Sequence, residues 1–408
     1  MKILMLGWEL PPHNSGGLGV ACLNLSKSLS KFGTSIDFVV PYRAEHKNIK
    51  FMNVLSASNL NPLFRFGAGA YASANATLPF SLNFSASPSS DQISIREIQK
   101  SYIEFVENYL KEYKPDVVHA HDWLTFEAGM LAKKNYGIPL IAHVHATEFD
   151  RAGGQSGSPL VEEIEREGLL MADKIFAVSN ATREIIHKKY DIPLEKIDVV
   201  YNSLGEDFIN SLYSFDDSEH VYINLLKENG FCIVSTVGRF TIQKGLTHLL
   251  HAAAKAIHKN PKLVFILAGD GEEKSELISL AAELGISRNV IFTGFIRGKN
   301  LRDIYSFSDI FVMSSVSEPF GLTALEAAHH GDALILTKQS GVSEILKSAF
   351  KYDFWDEDKL ANEILAIAAS PALRKTLQTN IKNEYSKISW DDIAKQCLDV
   401  YNKLRKHN

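Results

Sequence analysis

The sequence lacks the marks of a nucleic-acid-binding, membrane-spanning or disulfide-bonded protein. Lys and Arg number 43 against 48 Asp and Glu, a net charge of −5, whereas proteins that neutralise nucleic-acid phosphates usually carry a basic excess. No apolar run approaches the roughly 18 residues of a membrane-spanning helix. Only three cysteines occur, far apart, which predicts free thiols in a reducing compartment. We expect a cytoplasmic protein without a nucleic-acid partner; peripheral membrane contact and oligomeric state are left open by these counts.

Apolar, β-branched runs alternate with helical patterns along most of the chain. Runs that are apolar on both faces are typical of buried parallel strands, and helices such as Ser94–Tyr113 and Gly245–His258 separate them. The predicted strands are Met1–Glu9, Ile36–Val40, Asp116–Ala120, Leu140–His145, Ile175–Val178, Asp198–Tyr201, Phe231–Val237, Leu263–Ala268, Val290–Phe295, Ile310–Met313 and Ala333–Thr337. Repeated βαβ units predict an α/β fold with doubly wound parallel sheets.

Two features interrupt this pattern. Ser203–Gly230 is polar and acidic, which indicates a connection between two Rossmann-like domains. We therefore predict an N-terminal domain over residues 1–208, a second domain over 209–388 and a final helical segment over 389–408. Residues 56–92, rich in Ser, Ala and Asn, form an insertion in the first domain. It is either a surface excursion or a lid that faces a substrate.

A glycine-rich stretch, Pro11–Gly19, follows the first predicted strand. Adjacent glycines at a strand-to-helix turn let backbone amides approach an anion. The dinucleotide fingerprint fails because its third glycine would fall at Cys22, and no Gly-Lys-Ser/Thr of a P-loop follows. The stretch therefore disfavours a dehydrogenase.

Two cations, Arg239 and Lys244, follow the first strand of the second half. Open α/β sheets bind ligands at the carboxyl ends of their strands. A guanidinium can fork onto phosphate oxygens while an ammonium supplies a point charge. We favour a phosphate site here over a solvated basic loop.

Two glutamates, Glu318 and Glu326, flank a predicted helix start after the strand Ile310–Met313. The free amides of that helix start can hold a diphosphate, and Glu326 can reach the hydroxyls of a nucleotide sugar. The alternative is an ordinary helix with acidic residues near its positive end. The candidate donor-binding residues here are Phe320, Gly321, Leu322, Thr323 and Glu326.

Four histidines end two neighbouring strands, in the pairs His119/His121 and His143/His145. Spacing of two places each pair on one face of its strand. A zinc site is disfavoured because no carboxylate or cysteine with standard metal spacing accompanies them. Core histidines with satisfied nitrogens, or histidines that hydrogen-bond a polar substrate, are the other two interpretations.

These motifs together resemble the retaining GT-B glycosyltransferases of family 4, on the side of glycogen and starch synthases. The resemblance covers nearly the whole chain. It rests on Gly7–Pro12 with the following Gly-Gly pair, His119–Trp123, His145–Arg151, Arg239 with Lys244, and Glu318 with Glu326. It implies two Rossmann-like domains that face a central cleft and a C-terminal helix, Trp390–Lys406, that returns to the first domain.

The resemblance also implies roles for individual residues. Arg239 and Lys244 would neutralise the donor diphosphate, Glu318 would face the donor sugar, and His145 would contact that sugar near the reacting carbon. Gly17 would approach the phosphate, and Asp122 would lie in the cleft on the acceptor side. No cofactor or metal is expected, because two cations and helix-end amides can stabilise the leaving diphosphate.

The expected activity is transfer of a hexose, best assigned as glucose from UDP- or ADP-glucose, to a glucan or oligosaccharide. One difference from bacterial and plant glycogen and starch synthases is the absence of a lysine before Gly16-Gly17, so the motifs support glycosyl transfer more strongly than glucan synthesis. The alternatives are transfer of another sugar to a lipid, small molecule or surface polysaccharide, a nucleotide-sugar epimerase, and a non-catalytic sugar-binding protein.

Overall fold

The computed structural model describes residues 1–13, 16–43, 45–59, 77–78, 93–211 and 213–407, which form two compact units. Unit 1 comprises Met1–Arg151, Gln155–Asn202 and Trp390–Asn408, and unit 2 comprises Ala152–Gly154 and Ser203–Ser389. Ser203 belongs to unit 2, where its hydroxyl donates to the carbonyl of Ile388 at 2.7 Å. The predicted limits at residues 208 and 388 lie within a few residues of these divisions.

Unit 1 is built on a seven-stranded parallel sheet. Its strands are β1 (Lys2–Leu6), β2 (Ser35–Val40), β3 (Asn53–Ser56), β6 (Val117–His121), β7 (Leu140–Val144), β8 (Lys174–Ala177) and β9 (Ile197–Val199). They lie in the order β3-β2-β1-β6-β7-β8-β9. The helices of the unit are α1 (Gly17–Lys31), α2 (Ile95–Glu112), α3 (Trp123–Tyr136), α4 (Glu148–Arg151), α5 (Pro159–Met171), α6 (Asn180–Tyr190) and α15 (Trp390–His407).

A short antiparallel pair, β4 (Thr77–Leu78) and β5 (Ile93–Ser94), precedes α2. The predicted insertion at 56–92 lies mostly outside the described residues. Of that segment only Ser56, which ends β3, with residues 57–59 and 77–78, is described.

Unit 2 is built on a six-stranded parallel sheet. Its strands are β10 (Cys232–Val237), β11 (Leu263–Ala268), β12 (Val290–Gly294), β13 (Ile310–Met313), β14 (Ala333–Thr337) and β15 (Phe350–Tyr352), in the order β12-β11-β10-β13-β14-β15. Its helices are α7 (Glu206–Ile209), α8 (Val221–Glu228), α9 (Leu246–Lys259), α10 (Lys274–Glu283), α11 (Gly298–Phe307), α12 (Leu322–His330), α13 (Glu357–Ala369) and α14 (Pro371–Tyr385). The prediction of two doubly wound parallel sheets is confirmed.

Most residues of the central strands are buried, as sheets covered on both faces require. Every residue of β6, β7, β11 and β14 is buried. In the two parallel sheets, the strands that the sequence did not predict are β3 and β15, which are sheet edges and partly exposed. They carry no long apolar run because one of their sides has no neighbouring strand to pack beside.

Helix α15 belongs to unit 1 although it follows all of unit 2 in sequence. Asp391 accepts from the Ser28 hydroxyl at 2.8 Å and from the Lys31 ammonium at 3.0 Å, both on α1. Tyr401 bonds His119 of β6 through its hydroxyl at 2.7 Å. The predicted return of the final helix to the first domain is confirmed.

Among the described residues, no helix combines the length and the apolar character needed to cross a bilayer.

Candidate functional site

In unit 2 the candidate site lies at the carboxyl ends of β10 and β13, which are neighbouring strands. The loops that follow them are tied together by hydrogen bonds. The Ser314 hydroxyl donates to the carbonyl of Lys244 at 2.8 Å, the Val316 amide donates to Gln243 at 2.8 Å, and the Gln243 side chain donates to Ser317 at 3.0 Å. Two segments about seventy residues apart in sequence therefore form one rigid edge.

Two glycines make this close approach possible. Gly245 has φ +60, and a Cβ there would lie 2.3 Å from the carbonyl oxygen of Ser314. Gly321 has φ +109, and a Cβ there would lie 2.8 Å from the terminal methyl of Met313. A positive φ strains residues with side chains, so glycine is required at both positions.

Lys244 and Glu318 meet across this edge. The Lys244 ammonium lies 2.5 Å from Oε2 of Glu318, and the Ser315 hydroxyl donates to the same oxygen at 3.0 Å. Their side chains are 21% and 12% exposed, so the pair is shielded but still reachable from solvent. Both residues line a small pocket that also includes Gly238, Ser314 and Thr323.

The start of α12 forms one wall of this pocket. Gly321 is its N-cap and has no side chain to bond the first helical amides. The amides of a first helical turn have no partner within their own helix, and the helix end carries partial positive charge. Leu322 and Thr323 supply that turn, and the carbonyl of the buried Phe320 accepts from Val342 at 2.7 Å, which fixes the loop.

Two further predicted donor residues of this unit, Arg239 and Glu326, are not among the residues that line the pocket. Arg239 is exposed in the loop after β10. Glu326 accepts from the Tyr305 hydroxyl at 2.7 Å. Burial raises the pKa of Glu326 to about 7, and the Tyr305 hydrogen bond opposes the rise. Tyr305 was not predicted, because nothing in the sequence links it to a residue 21 positions away.

In unit 1, Gly17 begins α1 and is exposed. The preceding Gly16 donates its amide to the Glu9 carboxylate at 2.9 Å. Asn14 and Ser15 of the predicted glycine loop lie outside the described residues. One backbone amide of this turn, that of Gly16, is therefore already hydrogen-bonded to the acidic side chain of Glu9.

The four histidines form a buried cluster at the carboxyl ends of β6 and β7. His119 and His121 stack with ring centroids 4.4 Å apart, and His143 and His145 with centroids 4.2 Å apart. The spacing of two thus places each pair on one face, as predicted. Burial lowers the pKa of His119 and of His145 to about 3 and places those of the other two well below the ordinary value, so all four are neutral.

Hydrogen bonds join the cluster in two groups. His119 bonds Tyr401 at 2.7 Å and His143 at 3.1 Å, whereas His121 bonds His145 at 2.9 Å between ring nitrogens. Both ring nitrogens of His119 have partners, as in a satisfied core histidine, whereas within the described part of the chain Nε2 of His143 and Nε2 of His121 are buried without a hydrogen-bond partner. His145 is 8% exposed and lies in the segment that follows β7.

A cysteine that the sequence did not connect to these histidines lies beside them. Cys22 of α1, His121 and His145 have possible ligand atoms within 4.8 Å of one another, as do His119, His121 and His143. Thiolate and imidazole suit Zn²⁺. The 2.9 Å contact between His121 and His145 is a hydrogen-bond distance, however, and a metal would have to replace it. Cys22 was missed because it lies about a hundred residues earlier, on α1.

Asp122 anchors the loop that carries His145. Its Oδ1 accepts the amide of His145 at 2.6 Å and that of Ala146 at 3.3 Å. Arg151 lies on the other side of this loop, 6% exposed, and pairs with Glu148 at 2.8 Å and with Glu165. This grouping was not predicted, since Glu165 belongs to a different helix.

Two family models together match most of the chain. Residues 15–205 match the model described as Glycosyltransferase Family 4, and residues 223–384 match that described as Glycosyl transferases group 1. An alpha-maltose-1-phosphate synthase from Mycobacterium tuberculosis is 30% identical over 321 residues, which cover 71% of this chain and 79% of that protein. The chain belongs to the family 4 glycosyltransferases. The predicted family is therefore confirmed.

Other relatives in this family align over almost the full length. An uncharacterized glycosyltransferase from Methanocaldococcus jannaschii is 29% identical over 412 residues, covering 98% of both chains. A glycogen synthase from Mycobacterium tuberculosis is 24% identical over 419 residues, covering 98% of this chain and 94% of the relative. The glycogen synthase and the alpha-maltose-1-phosphate synthase differ in the product that their names state, so family membership establishes a glycosyltransferase and not its acceptor.

Solved glycosyltransferases share the fold. Sucrose-phosphate synthase from Thermosynechococcus elongatus superimposes with a TM-score of 0.77 at 19% identity, covering 100% of both chains. Anabaena HepE in complex with UDP and glucose superimposes with a TM-score of 0.72 at 19% identity, covering 98% of this chain and 99% of that one. The GT-B fold class is confirmed.

Proposed function

We propose that this protein is a retaining glycosyltransferase that transfers glucose from UDP- or ADP-glucose to a glucan or oligosaccharide. The observation that carries the proposal is the pocket of unit 2. It unites Lys244, Glu318 and Thr323 at the carboxyl ends of two neighbouring strands. An ammonium, a carboxylate and a helix start in one pocket suit a ligand that has a phosphate at one end and hydroxyls at the other.

Departure of a nucleoside diphosphate builds negative charge on phosphate oxygens. Lys244, Arg239 and the amides of Leu322 and Thr323 are the groups that would stabilise this charge. Glu318 neutralises the Lys244 ammonium at 2.5 Å. A bound diphosphate would take over that ammonium and leave the Glu318 carboxylate for the donor sugar hydroxyls.

The retaining outcome follows in this proposal from attack on the face that the leaving group vacates. The acceptor hydroxyl bonds to the anomeric carbon as the diphosphate departs, and the hydroxyl proton passes to a phosphate oxygen. Glu318 is therefore assigned no covalent bond to the sugar. His145 is assigned to the donor sugar near the reacting carbon; because it is neutral, it would hydrogen-bond that sugar rather than pair with the diphosphate.

We also propose that the reaction needs no metal or other cofactor. Two cations and a helix start supply the charge that a divalent ion would otherwise supply. The neighbouring acidic residues Asp356–Asp358 are not assigned to a metal, since Asp356 caps α13 by accepting the Lys359 amide at 3.0 Å. The three cysteines are free and buried, which supports the proposal of a reducing compartment, the cytoplasm.

The acceptor is the least constrained part of the proposal. The glycogen synthase named above supports a glucan end. The alpha-maltose-1-phosphate synthase, which has the higher identity, favours a second candidate, a small phosphorylated sugar. Both reactions use the same donor chemistry and differ only in what occupies the acceptor side.

A matrix of donors and acceptors tests the proposal. UDP-, ADP- and GDP-sugars are each combined with glycogen, maltooligosaccharides, glucose 1-phosphate or no acceptor, and release of the nucleoside diphosphate is measured. We expect acceptor-dependent release from UDP- or ADP-glucose, with an α-linkage in the product by NMR. The proposal would be contradicted if none of the donors released its nucleoside diphosphate, or if the product were β-linked. Acceptor-dependent release with glucose 1-phosphate alone would select the second candidate.

A further inference from the structure

His145 directly follows the last residue of strand β7 and lies beyond the end of the sheet. Strand β7 ends at Val144, whose register partner is Ala177. The next two backbone amides both donate to one carboxylate oxygen of Asp122, at 2.6 and 3.3 Å. The carbonyl of Ala146 in turn accepts from Nη1 of Arg151 at 2.9 Å. Two side chains, rather than a neighbouring strand, therefore fix this short segment.

The residue that precedes Asp122 holds the ring of the same histidine. His121 ends β6, and its Nδ1 lies 2.9 Å from Nε2 of His145. The amide of Asp122 donates to the carbonyl of His143 at 2.9 Å, which locks the end of β6 to β7. Consecutive residues thus fix both the backbone and the imidazole of His145.

This arrangement has a conformational and an electrostatic cost. Asp122 has φ +58 and ψ 171, a region that glycine favours and that costs other residues about 1–3 kcal/mol. The carboxyl is 2% exposed, and burial raises its pKa to about 7. A strained and buried carboxyl persists only where the surrounding structure needs it.

The charged surroundings explain how the carboxyl is accommodated. Arg151 of α4 lowers the pKa of Asp122, as do the two amides, whereas Glu165 of α5 raises it. Burial and, after it, the Asp122 carboxyl raise the pKa of the Cys22 thiol of α1. Arg151 is itself held by Glu148 and Glu165, so it is committed to this network and serves as a fixed counter-ion.

We propose that Asp122 is a positioning residue that acts on the reaction through His145 and does not contact the acceptor. This rests on the proposed role of His145 at the donor sugar. It replaces the acceptor-side role that the family resemblance implied for Asp122 with one in which the carboxylate sets the place and direction of the imidazole.

Amide hydrogen exchange tests the contact without depending on activity. Asp122→Gly removes the carboxylate and adopts the positive φ without strain. We expect the amides of His145 and Ala146 to exchange at least about tenfold faster, with little change at Ile141–Val144. Asp173→Ala is the matched control, because Asp173 accepts the Leu140 amide at 2.8 Å at the opposite end of β7. It should deprotect Leu140 alone. Unchanged exchange at His145 and Ala146 in Asp122→Gly would overturn the proposal.

A double-mutant cycle tests the route to activity. We expect Asp122→Gly to lower kcat at least tenfold with a change in acceptor KM below about threefold. In a His145→Ala background the same substitution should lower kcat less than about threefold further, because it acts through the missing ring. If the effects of the two substitutions on kcat multiply, or if Asp122→Gly raises only the acceptor KM, Asp122 contacts the substrate directly and the proposal is overturned.

A conservative variant covers the case in which Asp122→Gly does not fold. Asn tolerates a positive φ and keeps an acceptor oxygen while losing the charge. Asp122→Asn should keep His145 and Ala146 protected and keep kcat within about fivefold. Loss of kcat with both amides still protected would overturn the positioning role. Wild-type activity of His145→Ala would instead contradict the proposed function and leave the exchange result standing.

Discussion

Replacing Lys244 with alanine removes the cation at the centre of the unit 2 pocket. The ammonium lies 2.5 Å from Glu318, and the Lys244 side chain is 21% exposed. Removing one preorganised contact to a developing oxyanion costs about 3 kcal/mol, or more than a hundredfold in kcat. The unpaired Glu318 carboxylate would also repel the diphosphate. At about 6 Å and an effective dielectric constant of 20 this adds up to roughly 3 kcal/mol. We expect a fall in kcat between about 10²- and 10⁴-fold.

The assay measures nucleoside diphosphate release at saturating donor, together with UDP affinity by calorimetry. Lys255→Ala is the matched control, because Lys255 forms exposed pairs with Glu357 and Asp358 at 3.2 and 3.0 Å in the same unit. Such surface pairs contribute little, so its activity should stay within about twofold of wild type. A Lys244→Ala protein that melts like wild type and turns over at a near wild-type rate would refute the electrostatic argument.

Three further outcomes are expected. Arg239→Ala should lower kcat about a hundredfold with no change in Tm, since the side chain is exposed; wild-type kcat would remove it from the diphosphate site. Activity should survive EDTA within about twofold; complete loss restored by Mn²⁺ or Mg²⁺ would contradict the metal-free proposal. The pKa of Glu326 rises from 4.5 to about 7 on folding, so its contribution to stability is complete below about pH 4.5 and is lost as the pH rises through about 7. Between pH 4.5 and 7 the Tm of Glu326→Gln should therefore fall a few degrees less than that of wild type. Curves of Tm against pH that run parallel for the two proteins would contradict this expectation.

The sequence predicted those parts of the fold and site that depend on local residue patterns. Buried strands such as β11 and β13 were predicted to the residue, because their apolar runs match their burial on both faces. It could be predicted that the pocket residues Lys244, Glu318 and Thr323 lie close together, because parallel strands place their carboxyl ends at one edge of the sheet.

What the sequence could not predict depends on contacts between distant segments. Cys22 meets His121 and His145 only after α1 packs beside the sheet. The pairing of Arg151 with Glu165 joins α4 to α5. The positive φ of Asp122 could not be foreseen, because positive φ is expected of glycine and this residue is held there by its bonds to the His145 loop.

The position of α15 has a consequence for how the protein is made. The helix completes unit 1, yet all of Ser203–Ser389 is synthesised before it. At roughly 5–20 residues per second, this delay is on the order of 10 to 40 s. During that time the face of α1 that Asp391 later bonds stays uncovered, and His119 lacks its Tyr401 partner. Unit 2 can therefore finish folding on the ribosome first, whereas the earlier-made unit 1 stays incomplete until α15 has been synthesised.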